Sequence, residues 1–468
     1  MSDSVDVKFT DRSNVKSKLR KLDFTDKNTF DLTISAFELL SEMKKSKLSV
    51  IPSIKSNKSI ELYDHQIFAA MKVKNELGGS AILADEVGLG KTMEAGIILK
   101  EFLISGLAKN ILILAPPSLV YQWQDELESK FSLHFTQKDD SDYRDPASHD
   151  LLIFSHSSAV YPTAANFLKK KNWDMIIVDE AHSMKNSSTM KHKLLKELTR
   201  RFTLLLTATP IQNNLGELYN MVELIKPGTL GTFSEFKTRY ADDKQMRTLN
   251  PFFKDELQKK LSKIIIRTTR QQVKKYIKFT DRVAFTRILK PTDDERKLYD
   301  TITDKVREHY ENGFEVLYLM IIQRLISSST ESTKQALFKM KKSELLSSEE
   351  YDELMEIASR ITMDTKTTEL KNTIREQNES KFLIFTEWKA TQEYLKRVLS
   401  DEGYSVTLFH GELNLSQKAE SIERFRNDAQ IMISTSAGGE GQNFQFCSNV
   451  VNYDLPWNPM KVEQRVGR

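Results

Sequence analysis

The chain alternates short, unbroken apolar runs with longer stretches of helical spacing. Apolar residues fill 81–84, 111–115, 151–154 and 175–178, and all of 202–206 but Thr203, without the every-second-residue alternation of a half-buried strand. Runs of that length and continuity predict strands buried on both faces. A second series follows at 382–385, 406–409, 431–433 and 450–452. Between the runs, 93–103 reads as a helix, and the segment after Pro116-Pro117-Ser118 reads as another that carries Trp123. Pro291-Thr292-Asp293-Asp294-Glu295 is a helix start with proline and a capping-box acid, and Tyr299, Ile302, Val306 and Tyr310 continue that helix. Charge-rich helical patterns persist to about Asn372, and no internal repeat of fixed period is visible. Strands alternating with helices predict an α/β fold built on parallel sheets covered by helices on both faces.

Three stretches stand apart from this rhythm. Residues 1 to about 58 are rich in lysine and serine, and Leu32, Ala36, Leu39, Leu40 and Met43 follow the spacing of one docked helix. The stretch 46–59 reads as a loop whose lysines form a solvated face, with contact to a polyanion as the alternative. Residues 230–275 are mixed and basic and end in Ile264-Ile265-Ile266-Arg267-Thr268-Thr269-Arg270.

The chemistry concentrates where the apolar runs end. The run at 81–84 leads into Asp85-Glu86-Val87-Gly88-Leu89-Gly90-Lys91-Thr92, and a helix follows. A strand, a glycine turn and a helix opening on Gly-Lys-Thr form a phosphate-binding arrangement. Glycines let the backbone close round phosphate oxygens, and the first helical N–H groups and the helix dipole favour an anion there. Lys91 is expected to reach the β- and γ-phosphates of ATP, and the Thr92 hydroxyl to ligate Mg²⁺. The general pattern wants glycine where this chain has Asp85, and Gly88 lies inside the loop instead. Further along, after the runs at 111–115 and 151–154, 175–178 runs directly into Asp179-Glu180-Ala181-His182. Ligands of such sheets bind at the carboxyl ends of the strands, where both segments fall. Asp179 is expected to hold Mg²⁺ through water, and Glu180 to orient and deprotonate the attacking water. A solvated strand end is the plain alternative for two adjacent acids. Gln66, ahead of the loop, has an amide able to pair with adenine, or is an ordinary surface residue. After 202–206 comes Thr207-Ala208-Thr209-Pro210, whose hydroxyls can bond back to the acidic pair and report the nucleotide state, or cap a helix that Pro210 stops.

Composition narrows the class without choosing within it. At 468 residues, the length suits about three domains at most, and an apolar content of 39% with 29% charged residues suits a soluble protein. The net charge of +4 permits a nucleic-acid partner without demanding one. Cys447 is the single cysteine, so an internal disulfide and a cysteine-cluster zinc site are excluded. The polar start Met1-Ser2-Asp3-Ser4 shows no secretory signal, and no apolar stretch is long enough to span a bilayer. A cytoplasmic location and no membrane partner are the expectation.

Taken in order, ADEVGLGKT at 84–92, DEAH at 179–182, LTATPIQNN at 206–214, STSAGGEGQNFQ at 434–445, DLPWNP at 454–459 and QRVGR at 464–468 resemble the Swi/Snf-type DNA translocases of helicase superfamily two. The form ADEVGLGKTMEAG is most similar to the RapA branch, and the resemblance spans 62–468. It implies two tandem RecA-like lobes with ATP between them. Boundaries follow as an N-terminal segment 1–60, lobe one at 61–285, and lobe two at 286–468 with a helical protrusion at 291–372. Residue by residue, it implies ATP contacts from Gln66, Asp85, Glu86, Val87, Gly88, Leu89, Gly90, Lys91, Thr92, Asp179, His182, Gly441 and Arg465. Catalytic roles fall to Lys91, Glu180 and Arg468, the last as the first of two arginine fingers. Pro116, Ser118 and Thr435 match positions that face the nucleic-acid backbone, and Thr207 and Thr209 match the coupling motif.

The segments 230–275 and 291–372 are short for a chromatin remodeller, and no histone-reading segment is recognisable. The family's second finger falls just past Arg468, so the resemblance implies an incomplete second lobe and the motor part of a longer protein. The expected activity is a DNA-stimulated ATPase that moves along double-stranded DNA, acts as a monomeric motor and displaces bound proteins. The alternatives are a strand-separating DNA or RNA helicase, and the motor subunit of a bacterial defence complex. The protein partner is accordingly expected to be RNA-polymerase-like or a subunit of such a complex.

Overall fold

The structure is a computed structural model that describes residues 47–57, 60–140, 143, 145–208, 214–277, 282–311, 316–377, 380–435, 444, 446–457 and 459–466. The described strands fall into two all-parallel sheets. The first comprises β1 (Ala81–Leu83), β2 (Ile111–Ala115), β3 (Leu151–Ser155), β4 (Trp173–Val178), β5 (Arg200–Leu206) and β6 (Ile265–Ile266), in the spatial order β3-β2-β4-β5-β1-β6. The second comprises β7 (Phe382–Thr386), β8 (Val406–Phe409), β9 (Ile431–Thr435) and β10 (Asn449–Asn452), in the order β10-β7-β9-β8.

Unbroken apolar runs form these strands because both faces of each sheet are covered. Successive residues point to opposite faces, so alternate residues enter different cores. Leu83, Ile113, Ile177 and Leu204 pack with the helices Asp64–Asn75, Lys91–Ile104 and Val120–Phe131. Ile82, Leu112, Ile176 and Leu205 pack on the other face with Leu194, Leu218 and Met221. The second sheet repeats the division: Ile384 and Ile433 lie in one core, and Leu383 and Met432 in another. Such a sheet offers its carboxyl ends as the place where loops can gather polar groups.

Four helices, Asp293–Glu311, Val316–Ile326, Thr330–Lys342 and Ser348–Arg360, share a small core of their own around Leu298, Ile302, Leu325, Leu337, Met340 and Ile357. Ser329 and Ser347 begin the last two of these helices, each as a capping box. Tyr299 and Tyr310, two of the residues that marked the first helix in the sequence, are exposed, and Ile302 and Val306 carry its buried stripe.

Two expectations need correction. The stretch 46–59 is not simply a loop: Ile51–Lys55 is a short helix, and Leu48, Val50 and Ile54 are buried in the first core. Its lysines hid this, because the anchor is a buried acid: Glu101 accepts the Val50 backbone N–H at 2.9 Å and pairs with Lys74 at 2.7 Å. The helical protrusion also ends earlier than 372. Thr365–Glu376 packs Leu370 and Ile374 against the second sheet rather than joining the four-helix core. The helix expected around residues 32–43 lies outside the described residues.

Candidate nucleotide site and its comparison with known proteins

The phosphate loop is fixed by residues far away in sequence. Beyond β1 the chain runs along the end of β6: Ala84 N–H donates to Ile266 O, and Glu86 N–H to Thr268 O. Asp85, fully buried, accepts the Thr268 N–H at 2.7 Å. Glu86 accepts the Arg270 N–H at 2.9 Å, and the Arg270 guanidinium donates to Val87 O at 2.9 Å. This explains the departure at position 85. A carboxylate there latches the loop to 266–270, which a glycine could not do. Thr268 and Arg270 are therefore part of the site's framework. The sequence signal was the apolar triplet at 264–266, which is too short to read as a strand.

Two glycines permit the loop's path. Gly88 and Gly90 have φ of 86° and 87°, the left-handed region that side chains disfavour. A Cβ on Gly90 would also lie 2.5 Å from Gln66 Nε2. Gln66 is buried, not a surface residue: its amide donates to Leu89 O at 3.1 Å and accepts the Tyr63 N–H at 3.2 Å. His65 Nε2 lies 2.8 Å from the same Leu89 carbonyl. The loop is thus clamped from one side by 65–66 and from the other by 268–270. Lys91, the first residue of the helix Lys91–Ile104, donates its ammonium to Asp85 O at 2.7 Å and so stands over the loop. Thr92 follows in the same first turn. Behind the loop, burial and then the Asp85 carboxylate push the Glu94 carboxyl well above the usual carboxylate range.

At the end of β4 the chain turns sharply. Glu180 takes φ 44°, a conformation costly for a side-chain-bearing residue. The Glu180 N–H donates to Asp179 Oδ1 at 2.8 Å, and the Trp123 indole N–H donates to Asp179 Oδ2 at 2.8 Å. Burial first, and then the neighbouring Glu180 carboxylate, raise the Asp179 pKa. His182 Nδ1 lies 3.1 Å from Glu180 Oε2. This is a fixed, partly buried pair rather than a solvated strand end. Thr207 is buried at the end of β5 and donates its N–H to Leu83 O at 3.0 Å, beside the start of the phosphate loop.

Pro116 and Ser118 lie in the turn after β2, where Pro117–Leu119 forms a short 3-10 segment. Thr435 ends β9 and is buried. Arg465, on the helix Pro459–Val466, is also buried, and its guanidinium donates to Asn452 Oδ1 at 2.8 Å and Asp454 O at 3.0 Å while lying over the Phe385 ring. That side chain binds its helix to the end of β10. Asp454 is a hub the sequence did not reveal: its carboxylate accepts from Ser328 at 2.7 Å, Thr386 at 2.6 Å and Lys366 at 2.9 Å. Thr209, Gly441 and Arg468 lie outside the described residues.

The residues present fit a nucleotide triphosphate with Mg²⁺. Left-handed glycines, a helix N-terminus and a lysine make a phosphate cradle, and a hydroxyl with a carboxylate is the oxygen donor set that Mg²⁺ takes.

Known proteins resemble the chain over most of its length. Residues 63–376 match the SNF2-related domain, and residues 365–468 match the helicase conserved C-terminal domain. An ATP-dependent helicase of Bacillus subtilis, YqhH, is 37% identical over 86% of this chain and 72% of its own length. The RNA polymerase-associated protein RapA of Proteus mirabilis is 27% identical over 94% of this chain and 49% of its own length, so the chain spans about half of that relative. Among solved structures, the Pyrococcus furiosus Hef helicase domain is similar in fold, at a TM-score of 0.52 and 18% identity over 88% of this chain and 93% of that one. The Sulfolobus solfataricus SWI2/SNF2 ATPase core matches over 87% of this chain and 85% of that one, at 23% identity and a TM-score of 0.44. The chain belongs to the SNF2-related family, as a two-lobed RecA-like ATPase of helicase superfamily two that is related to RapA.

Proposed function

We propose that this protein is an ATP-driven translocase on double-stranded DNA that displaces or remodels bound proteins. The observation that carries the reading is the convergence of the latched phosphate loop and the Asp179-Glu180 turn at the carboxyl ends of one parallel sheet, in a chain that also holds the helicase C-terminal segment. Hydrolysis needs residues of the first kind, and a second lobe supplies what turns hydrolysis into movement. ATP supplies the transferable phosphoryl group, and Mg²⁺ neutralises its charge.

The chain's own residues then have distinct tasks. Gly88 and Gly90 give the loop its curvature, and Lys91 places a positive charge over it. Thr92 and Asp179 are the candidate magnesium holders, Asp179 acting through water, and its carboxylate is fixed by the Glu180 N–H and the Trp123 indole. Glu180 orients the attacking water and takes its proton, and His182, 3.1 Å from the Glu180 carboxylate, is an ATP contact. Thr207 and Thr209 couple the loop to the acid pair. Pro116, Ser118 and Thr435 face the DNA backbone, and Arg468 acts as an arginine finger. The relative RapA is an RNA polymerase-associated protein, which makes a polymerase-like partner one proposal, with a defence-complex subunit as the other.

The test is ATP turnover in the presence of duplex DNA, single strands and RNA. Stimulation greatest with duplex supports the reading, and stimulation by single strands or RNA alone overturns it. The helicase name of the Bacillus relative favours a second reading, strand separation. Release of a labelled strand from a tailed duplex would decide for it.

A further inference from the structure

The sequence marks Trp123 only as part of a helix, and neither the phosphate loop nor the acid pair accounts for it. Trp123 is 2% exposed, and its indole N–H makes the 2.8 Å bond to Asp179 Oδ2. Asp179 Oδ1 is held by the backbone N–H of Glu180, so Trp123 fixes the other half of the carboxylate. The two residues are 56 apart in sequence, and no purely local preference brings them together.

The helix that carries Trp123, Val120–Phe131, is gripped at its far end. A Cβ on Gly96 of the phosphate-loop helix would lie 2.4 Å from the Phe131 ring, so the two helices meet only because position 96 has no side chain. Lys100 donates to Phe131 O at 2.6 Å at the same end. The near end continues directly from the Pro116–Ser118 turn. The helix is also held near its start, where Gln124 donates to Phe135 O at 2.9 Å and to Asp140 Oδ2 at 2.8 Å, and it joins the turn assigned to DNA without a break, so a shift of that turn is passed to its first residues. Trp123 sits in the first turn, at that near end.

We infer that Trp123 is a positioning residue for Asp179, whose indole N–H aims the magnesium-holding carboxylate and makes turnover respond to occupancy of the 116–118 turn. The second half rests on the proposed function; the first does not. Contact with the DNA backbone at Ser118 shifts the first turn of the helix, and the indole carries that shift to Asp179 through one hydrogen bond. No contact between DNA and the acid pair is needed.

The test is Trp123→Phe in the whole protein, which keeps an aromatic ring in the core and removes the N–H. Leu127→Ala, a buried position on the same helix, controls for packing loss alone. The first readout is the Mg²⁺ concentration for half-maximal turnover, and the second is the ratio of DNA-stimulated to unstimulated turnover. Trp123→Phe is expected to raise the first several-fold and lower the second several-fold, with magnesium-free nucleotide binding unchanged. Leu127→Ala is expected to lower the melting temperature without moving either. A Trp123→Phe protein with the parent's magnesium requirement overturns the positioning role, as does an equal rise in Leu127→Ala. If duplex DNA fails to stimulate the parent protein, the proposed function falls, and the magnesium readout still decides on Trp123.

Discussion

On the proposed reading Glu180 and Lys91 divide chemistry from binding, and single substitutions separate the two. Glu180 sits in a strained turn with its carboxylate beside His182, and the proposed function has it accept a proton rather than grip phosphate. Glu180→Gln is expected to bind nucleotide like the parent and to lose at least about a hundredfold in turnover, the usual scale of a general base. Fluorescent-nucleotide titration beside steady-state turnover checks it; near-parent turnover would remove Glu180 from that role. Lys91→Ala is expected to weaken nucleotide binding itself, because a phosphate contact exists before the transition state as well as in it. A different residue governs acid sensitivity. His156 is buried, 3.2 Å from Leu114 O and from Ser183 Oγ, and burial with the nearby Lys191 lowers its pKa to about 4. Its neutral form is favoured when folded, so its contribution is fully present above pH 6.5 and is lost as pH falls from 6.5 toward 4. The window corresponds to roughly 3 kcal/mol at about 1.4 kcal/mol per pKa unit. Melting temperatures of the parent and His156→Asn at pH 7.5 and 5 test this: the variant is expected to lose less on acidification, and equal losses would acquit His156.

At the scale of elements, the phosphate loop is a clamp with two jaws, one at 65–66 and one at 268–270. Asp85→Ala leaves the Thr268 N–H without its acceptor, which is expected to cost about 1–3 kcal/mol and to weaken nucleotide binding although no phosphate contact is removed. Hydrogen exchange at 266–270 checks the mechanism: faster exchange there supports the latch, and unchanged exchange contradicts it. Much of this architecture was legible in the sequence. The nine longer strands were visible as apolar runs because a sheet covered on both faces has no polar side to interrupt them. Glycines before a lysine and a threonine announced the loop because only that residue order gives the turn and the cradle together. What stayed hidden was long-range pairing. β6 is too short to show as a strand, and its role depends on hydrogen bonds to residues 183 and 184 positions away. Trp123 and Asp454 were hidden for the same reason: a core tryptophan and a strand-end aspartate look ordinary until their partners are in place. The stretch 46–59 was misread because its anchor is a backbone N–H on a buried Glu101, which composition does not display.

At the scale of the whole molecule, two parallel sheets and a small helical core make up the described structure, the first sheet carrying the candidate nucleotide site and the second lying within the match to the helicase C-terminal domain. Among the described residues no helix is long and apolar enough to cross a membrane. The second lobe displays Trp457 and Leu455 to solvent beside Arg324, which lies 5.4 Å from the Trp457 ring and 5.8 Å from Trp388 and pairs with Glu387. If DNA is held along its backbone, binding must release counterions, so affinity for duplex is expected to fall steeply with salt and to vary little with sequence. Affinity unchanged between low and moderate salt would contradict backbone tracking. Movement itself is measured most directly with a triplex: a short third strand bound on a duplex is displaced by anything that travels along the duplex, whether or not its strands part. With ATP, the protein is expected to release the third strand and leave the duplex intact, and Glu180→Gln to release nothing. A third strand that stays bound while ATP is consumed, or a duplex whose strands separate, would contradict translocation on double-stranded DNA.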